Sequence, residues 1–153
     1  ILYGWKHRRS FRKSRKNIDG YKKIMSENFT IEIISPDKSV LKSEASEVTI
    51  PAYEGQMGIL RNHIPLVTFL KPGLIIIRQN NEDKVFFVEE GTVEFVNNNL
   101  LILSSTIKSE NDLDKSFIDL MIKNSQEQIR KPEINDKEKY LLSHKIETLS
   151  EIS

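Results

Sequence analysis

The chain has 153 residues, 38% of them hydrophobic, with no Cys and a formal net charge of +1. Its longest apolar runs, such as 74–77 and 100–103, hold four residues, whereas a membrane-spanning helix needs about 20. Disulfides, a thiolate nucleophile and a Cys-based zinc site are excluded. We expect a soluble chain, large enough for one domain with an appendage, that reaches a membrane only through a partner.

Residues 1–24 form a basic arm, with nine Lys or Arg against one acid, while the remainder carries a net charge of −7. The arm lacks an apolar period, so we do not expect it to fold alone. One interpretation is a disordered arm, and another is an artefact upstream of a natural start at Met25. Two other interpretations are an Arg-rich targeting segment and a phosphate-binding arm in which Trp5, Phe11 and Tyr21 stack.

Residues 25–108 predict a β-sandwich. Residues 29–33 alternate apolar and polar side chains, and turn signals recur about every 8–12 residues. The segment 53–58 has the form of a Gly-bracketed loop, and hairpins are expected around residues 80–83 and 97–99. The spacing predicts an antiparallel β-sandwich of about eight to ten strands.

Residues 109–153 predict a helical hairpin. Asn111 or Asp112 can cap a first helix with an apolar stripe, and Pro132 ends it at about residue 131. Asn135 or Asp136 can begin a second helix. The predicted stripe consists of Leu113, Phe117, Leu120, Met121 and Ile129. The fold class is therefore α+β, with an antiparallel two-helix hairpin docked weakly on the sandwich.

No catalytic constellation is visible in the sequence. The three His residues are His7, His63 and His144, and no pair has metal-ligand spacing. No serine sits in a nucleophile elbow, and no loop has the Walker pattern. We predict a non-catalytic protein with no catalytic residues, no metal and no cofactor.

Three ordered motifs carry a resemblance to a known family. Glu54-Gly55 with Gly58 is followed by His63-Ile-Pro65-Leu, and then by Lys71-Pro-Gly73. Together with residues 88–95 and 112–114, they resemble the epsilon subunits of F-type ATP synthases over residues 28–131. The arm has no counterpart in that resemblance.

The resemblance implies protein contacts in place of chemistry. It implies an interface with the polar loops of the membrane rotor ring formed by Glu54, Gln56, Met57, Arg61 and His63. Gln56 stands where some relatives carry an acid, so it offers a hydrogen bond and no salt bridge. The alternative for His63 is a turn residue that satisfies backbone groups. The other sheet face would meet the gamma subunit, which requires uncovered apolar side chains.

Some relatives bind ATP at the start of the first helix, where Leu113 and Asp114 match the family pattern. The Arg of that pattern is replaced by Phe117, so the guanidinium that would face the phosphates is missing there. Arg130 is the one candidate to replace it. We therefore predict that ATP does not bind. Residues 112–153 carry a net charge of −2, so any electrostatic attraction of the hairpin to the acidic alpha/beta catalytic head is weak.

The resemblance thus predicts a non-catalytic central-stalk subunit that links gamma to the c subunits of the rotor ring, couples proton flow to ATP synthesis and regulates ATP hydrolysis through its hairpin. Its expected place is the cytoplasmic side of the cell inner membrane, or alternatively the matrix side of the mitochondrial inner membrane. The first alternative function is a free-standing β-sandwich protein-binding module with a helical regulatory lid. A nucleic-acid-binding role led by the arm is a further alternative, although no nucleic acid is expected as a partner.

Overall fold

The structure is a computed structural model that describes residues 27–153, so the predicted basic arm lies outside the described residues. Ten strands precede two helices, with a short 3₁₀ turn at Glu110–Asp112 between them. The strands are β1 (Phe29–Ile34), β2 (Ser39–Ala45), β3 (Glu47–Ala52), β4 (Gly55–Leu60), β5 (Leu66–Leu70), β6 (Gly73–Gln79), β7 (Glu82–Val88), β8 (Gly91–Val96), β9 (Asn99–Leu103) and β10 (Lys108–Ser109). The helices are α1 (Lys115–Ile129) and α2 (Asp136–Ile152).

The described strands form one sheet in the order β10-β7-β6-β3-β5-β8-β9-β1-β2, with β4 paired to β3. β3 pairs with β6 through residues 47–49 and with β5 only at Ala52, so it joins the two layers of the sandwich. The predicted antiparallel sandwich is confirmed with one correction: β1 and β9 run parallel, with Ile31 opposite Leu100. Parallel neighbours need a long connection between them, and here that connection is most of the domain.

Side-chain hydrogen bonds fix the corner where the chain passes from β2 to β3. Both the backbone N–H and the hydroxyl of Ser46 donate to the carbonyl oxygen of Arg78 at the end of β6, at 2.9 and 3.2 Å. The amide of Gln79 donates to the Ser43 hydroxyl and to the Glu44 carbonyl oxygen. One edge of the sandwich is therefore held closed by polar contacts between the two layers.

The space between the layers is filled by inward-facing side chains of β1 to β9. Ile31, Ile50, Ile77 and Ile102 are fully buried there, and the Phe29 and Phe95 rings meet edge to face with centroids 5.6 Å apart. Strict alternation along β1 places Phe29, Ile31 and Ile33 in this core. The result is a close-packed body with little freedom to deform.

A second apolar cluster lies outside the sandwich, between β6, β7 and the helices. Phe87 points away from the first core and packs with Ile118 of α1 and Leu149 of α2. Leu74, which pairs with Phe87 across the strands, lines the same cluster. The continuous apolar runs in β6 and β7 are thereby explained, because both faces of these strands are covered.

The helix boundaries differ from the prediction by two or three residues. Asp114, not Asn111 or Asp112, caps α1, and α1 ends at Ile129 ahead of Pro132. Asn135 caps α2, as predicted, by accepting a hydrogen bond from the Glu138 backbone N–H at 2.8 Å. The stripe on α1 is also shifted, because Ile118 is buried while Leu120 is 55% exposed.

Gly73 provides a test of close packing at the start of β6. A Cβ at Gly73 would lie 2.5 Å from the Pro51 Cβ, well inside van der Waals contact. We expect Gly73→Ala to lower the free energy of unfolding by about 1–3 kcal/mol, as measured by denaturant titration. Gly58→Ala is the matched control, since its nearest atom is the Glu47 Oε1 at 3.7 Å. Equal stability losses in the two variants would contradict this explanation.

Candidate functional site

The segment predicted as a Gly-bracketed loop is the edge strand β4, joined to β3 by the two-residue turn Tyr53–Glu54. That part of the prediction is wrong. Gly55 has a φ of +130°, a backbone conformation that residues other than glycine rarely adopt. Glycine at this position therefore allows the tight turn to form. Glycines are poor strand formers, which is why the segment resembles a loop in the sequence.

The five residues of the predicted ring interface do not lie together. Glu54 and Gln56 are exposed at the β3–β4 turn, whereas Arg61 and His63 follow the other end of β4. A six-residue strand separates the two groups by roughly 17 Å. Met57 points inward and packs against the sandwich core. The predicted interface therefore divides into a polar turn at one end of the sandwich and a loop at the other.

His63 lies in a tight turn that follows β4. Its backbone N–H donates to the Leu60 carbonyl oxygen at 3.1 Å, and Asn62 takes a φ of +65°. The ring Nδ1 lies 2.8 Å from the carbonyl oxygen of Ile64; a carbonyl can only accept, so Nδ1 carries the proton and donates. The ring also meets the edge of Phe95 with centroids 5.9 Å apart. These contacts fit the alternative interpretation of His63, in which it is a turn residue that satisfies backbone groups.

An exposed apolar strip begins beside this turn and runs along β5, and the sequence prediction did not name it. Ile64, Val67 and Phe69 are 74%, 73% and 60% exposed, and these three residues are called the β5 strip. Val96 on the neighbouring strand β8 and Leu103 on β9, one strand further, are 40% and 44% exposed. The sequence signal was the apolar run of β5, interrupted only by Thr68, which resembles the runs in β6 and β7 but is not covered by any described element.

The helical hairpin covers the opposite layer of the sandwich. Beyond the apolar cluster, the Lys145 Nζ of α2 lies 2.8 Å from the Glu89 Oε1, and both side chains are largely screened from water, at 17% and 31% exposure. The Lys108 Nζ lies 4.1 Å from the centroid of the Phe117 ring on α1. Both helices are therefore attached to the sandwich by a polar contact as well as by apolar packing.

The residues considered for nucleotide binding are not brought together. Asp114 caps α1, and its carboxylate accepts hydrogen bonds from the Phe117 backbone N–H at 2.7 Å and the Ser116 hydroxyl at 2.8 Å. These two bonds, that from Phe117 first, hold the pKa of Asp114 below its ordinary value of 3.8. Leu113 is half-buried in the hairpin cluster. Arg130 stands at the far end of the 15-residue helix, about 20 Å away, so it cannot share a site with Asp114.

Among residues 27–153, no group of three or more His, Cys, Asp or Glu side chains is arranged to hold a metal ion. Neither described helix combines the length and the hydropathy that crossing a bilayer requires. The features that stand out in this part of the chain are thus surfaces: the polar Tyr53–Glu54 turn, the β5 strip and the docked hairpin.

Comparisons with known proteins agree with this geometry. The family described as "ATP synthase, Delta/Epsilon chain, beta-sandwich domain" matches residues 28–110. The ATP synthase epsilon chain of Pelagibacter ubique is 44% identical over 130 residues, which cover 84% of this chain and all of that relative. The epsilon chain of Dichelobacter nodosus is 32% identical over 110 residues, which cover 71% of this chain and 77% of that one.

Two chains in cryo-EM structures share the fold. One belongs to the Euglena gracilis mitochondrial ATP synthase, OSCP/F1/c-ring, with a TM-score of 0.69, 15% identity and coverage of 83% of this chain and 82% of that one. The other belongs to the Tetrahymena thermophila mitochondrial ATP synthase, central stalk and c-ring, with a TM-score of 0.54, 18% identity and coverage of 80% and 93%. At these identities the likeness establishes the fold alone.

The β-sandwich, the helical hairpin and the relatives together define the class: this chain belongs to the family of ATP synthase epsilon chains. Members of this family are non-catalytic subunits of the complex, and the resemblance carried by the sequence motifs is confirmed.

The Asp114 cap should make the start of α1 sensitive to acid. Since the folded-state pKa lies below 3.8, the cap's contribution is fully present above that pH and is lost as the pH falls through the lowered value. We expect protection of the Phe117 amide from hydrogen exchange to fall below pH 3.8 in the wild type. Asp114→Asn keeps an acceptor oxygen but does not titrate in this range. In this variant, protection of the Phe117 amide should not depend on pH beyond the change that global unfolding causes in all amides. Parallel profiles for the two proteins would rule out this role.

The Lys145–Glu89 ion pair should hold α2 on the sandwich. Lys145→Met keeps most of the apolar stem and removes the charge, leaving the Glu89 carboxylate without this partner. We expect the opening free energy of residues 115–152 to fall by about 1 kcal/mol, measured by native-state hydrogen exchange. Lys139→Met, at an exposed position of the same helix, is the control and should leave exchange unchanged.

Proposed function

We propose that this chain is the central-stalk rotor subunit that connects gamma to the c subunits of the membrane rotor ring and thereby couples proton flow to ATP synthesis. The observation that carries the proposal is the β5 strip, an exposed apolar surface on a sandwich whose own core is already complete. Monomeric surfaces rarely leave such patches uncovered without a partner. Membership of the epsilon family and the c-ring assemblies that contain the structural relatives identify the kind of partner.

We assign the β5 strip to gamma. A partner that must stay attached during rotation requires an apolar contact of standard size, on the order of 800 Å² per side. Ile64, Val67 and Phe69 provide its centre, and Val96 on β8 and Leu103 on β9 extend it across the next two strands of the sheet. His63 borders this surface, which favours a contact with gamma at this end of β4 over the ring contact expected from the sequence.

We assign the polar turn to the ring. Glu54 and Gln56 are exposed there, and polar side chains suit the polar loops of a ring at the membrane surface. Arg61 and Met57, the remaining residues of the predicted ring interface, do not belong to this turn. Arg61 lies beyond the far end of β4, and Met57 packs inward.

A short mechanical path joins the two proposed contacts. Ala52, directly before the Tyr53–Glu54 turn, pairs with Leu70, the neighbour of Phe69 in β5. The backbone N–H of Lys71 donates to the Pro51 carbonyl oxygen at 3.0 Å across the same junction. A force applied at the turn reaches the β5 strip through backbone hydrogen bonds and close-packed side chains, which transmit strain with little loss.

The hairpin provides the regulatory part of the proposal. It is held by a small apolar cluster and by the Lys145–Glu89 pair, so a contact with the alpha/beta head could compete with docking for the same surfaces. The chain is peripheral to the membrane part of the complex. We propose the cytoplasmic side of the cell inner membrane as its location, ahead of the mitochondrial matrix, and the bacterial origin of its relatives supports this choice.

The assignment of the β5 strip can be tested with charged substitutions. We expect Val67→Glu and Phe69→Glu each to weaken binding to purified gamma at least tenfold, because a carboxylate would be buried in an apolar contact. Leu120→Glu is the control, since Leu120 is 55% exposed on α1, away from the strip. Affinity is measured by biolayer interferometry, with circular dichroism as the check on folding.

The same experiment separates the alternative function. A free-standing binding module with a helical lid predicts no affinity for gamma and no co-purification with a multisubunit membrane complex. A wild-type chain that fails to bind gamma would therefore overturn the central-stalk proposal.

A further inference from the structure

The turn that carries His63 is tied to a distant part of the sheet by a pair of asparagines. The Asn62 backbone N–H donates to the Asn98 Oδ1 at 2.7 Å, and the Asn98 Nδ2 donates to the Asn62 Oδ1 at 3.1 Å. The two residues are 36 positions apart in the chain. Asn98 belongs to the two-residue turn Asn97–Asn98 between β8 and β9, where both residues have positive φ, 51° and 60°.

The hydrogen bonds of His63 in this turn are local. His63 donates through its backbone N–H to Leu60 and through Nδ1 to Ile64, and both acceptors lie within three residues. These bonds shape the turn but do not fix its position on the sheet. Among the hydrogen bonds described for Asn62, His63 and Ile64, the Asn62–Asn98 pair is the one that reaches another strand connection. Asn98 is itself anchored, because its carbonyl oxygen accepts from the Thr30 backbone N–H at 3.0 Å.

We infer that Asn98 is a positioning residue for the partner contact: through Asn62 it holds the turn that presents Ile64 at the end of the β5 strip. This inference rests on the function proposed above, in which the β5 strip binds gamma. Ile64 is the most exposed residue of the strip, at 74%, and it is the member that lies in the turn and not in a strand. Val67 and Phe69 are held by the pairing of β5 with β8, so Ile64 is the member that depends on the asparagine pair.

The energetic reason is preorganisation. A loop that is ordered before binding does not lose its conformational freedom when the partner docks, so affinity is higher for the same contacts. Removal of the asparagine pair leaves every residue of the contact in place but transfers the cost of ordering residues 61–65 to the binding step. A merely structural role would instead lower stability and leave the affinity of the folded protein unchanged.

Glycine substitutions isolate this effect, because glycine accepts positive φ without strain. Asn98→Gly removes both hydrogen bonds while the turn keeps its backbone form. Asn97→Gly is the matched control: it has the same residue type, the same turn and the same sign of φ, but the bonds to Asn62 do not involve its side chain. Asn62→Gly removes only the bond from Asn98 Nδ2, since the Asn62 backbone N–H remains as a donor.

The measurement is the dissociation constant of the full chain for purified gamma, at a temperature where thermal melts show every variant folded. We expect Asn98→Gly to weaken binding roughly three- to tenfold, Asn62→Gly to weaken it less, and Asn97→Gly to leave it unchanged. The double variant Asn62→Gly/Asn98→Gly should bind like Asn98→Gly alone, because no bond remains for the second change to remove. Asn98→Asp keeps the acceptor for the Asn62 N–H and should restore part of the affinity.

Equal affinities for Asn98→Gly and the wild type, or equal losses for Asn98→Gly and Asn97→Gly, would overturn the inference. So would additive losses in the double variant. These results leave the proposed function standing if Val67→Glu still weakens binding to gamma at least tenfold. If the wild type does not bind gamma, or if Val67→Glu binds normally, the proposed function fails and the inference fails with it.

Discussion

A β-strand with apolar side chains on both faces must be covered on both sides, and this requirement organises the molecule. β6 and β7 meet it within the chain, since Ile75 and Phe86 point into the sandwich while Leu74 and Phe87 point toward the helices. β5 also has apolar side chains on both faces but lacks cover on its outer face in the described residues, which leaves Val67 and Phe69 in water. The uncovered strand is therefore the place where we propose a partner, and β6 and β7 show the same kind of face covered by the hairpin.

Most of the architecture could be predicted from local patterns. Alternation of apolar and polar side chains predicted β1, and the change in apolar spacing from every second residue to every third or fourth predicted the hairpin. Asn135 predicted the start of α2. The errors occurred where local propensity and tertiary context disagree. β4 has two glycines in six residues and is stabilised by its pairing with β3, which sequence periodicity does not show. The parallel pairing of β1 with β9 joins strands that are far apart in the chain, so no local signal encodes it.

The candidate site was harder to predict than the fold because residues close in sequence were treated as one surface. Glu54 and His63 are nine positions apart, but an extended strand between them separates their positions by more than the width of a contact patch. Met57 illustrates the same point, since alternation along β4 directs it into the core between two exposed neighbours. The motif identified the family correctly, whereas the strand geometry decided which of its residues can act together. The β5 strip was visible only as an apolar run whose outer face had no assigned cover.

The two apolar clusters are separate, and this separation has a mechanical consequence. The sandwich core closes without any residue of the helices, while the hairpin cluster uses only Phe87 and Leu74 from the strands. If the hairpin leaves its docked position, the first cluster keeps its apolar contacts and the β3–β5 junction keeps its backbone hydrogen bonds. The junction loses the contacts of Lys71 with the Tyr140 ring and of the Tyr53 ring with Lys137. The proposed path from the Tyr53–Glu54 turn to the β5 strip does not pass through the helices. In our proposal, coupling depends on the sandwich and regulation depends on the hairpin, so the hairpin is able to move while the sandwich contacts proposed for the two rotor partners stay in place.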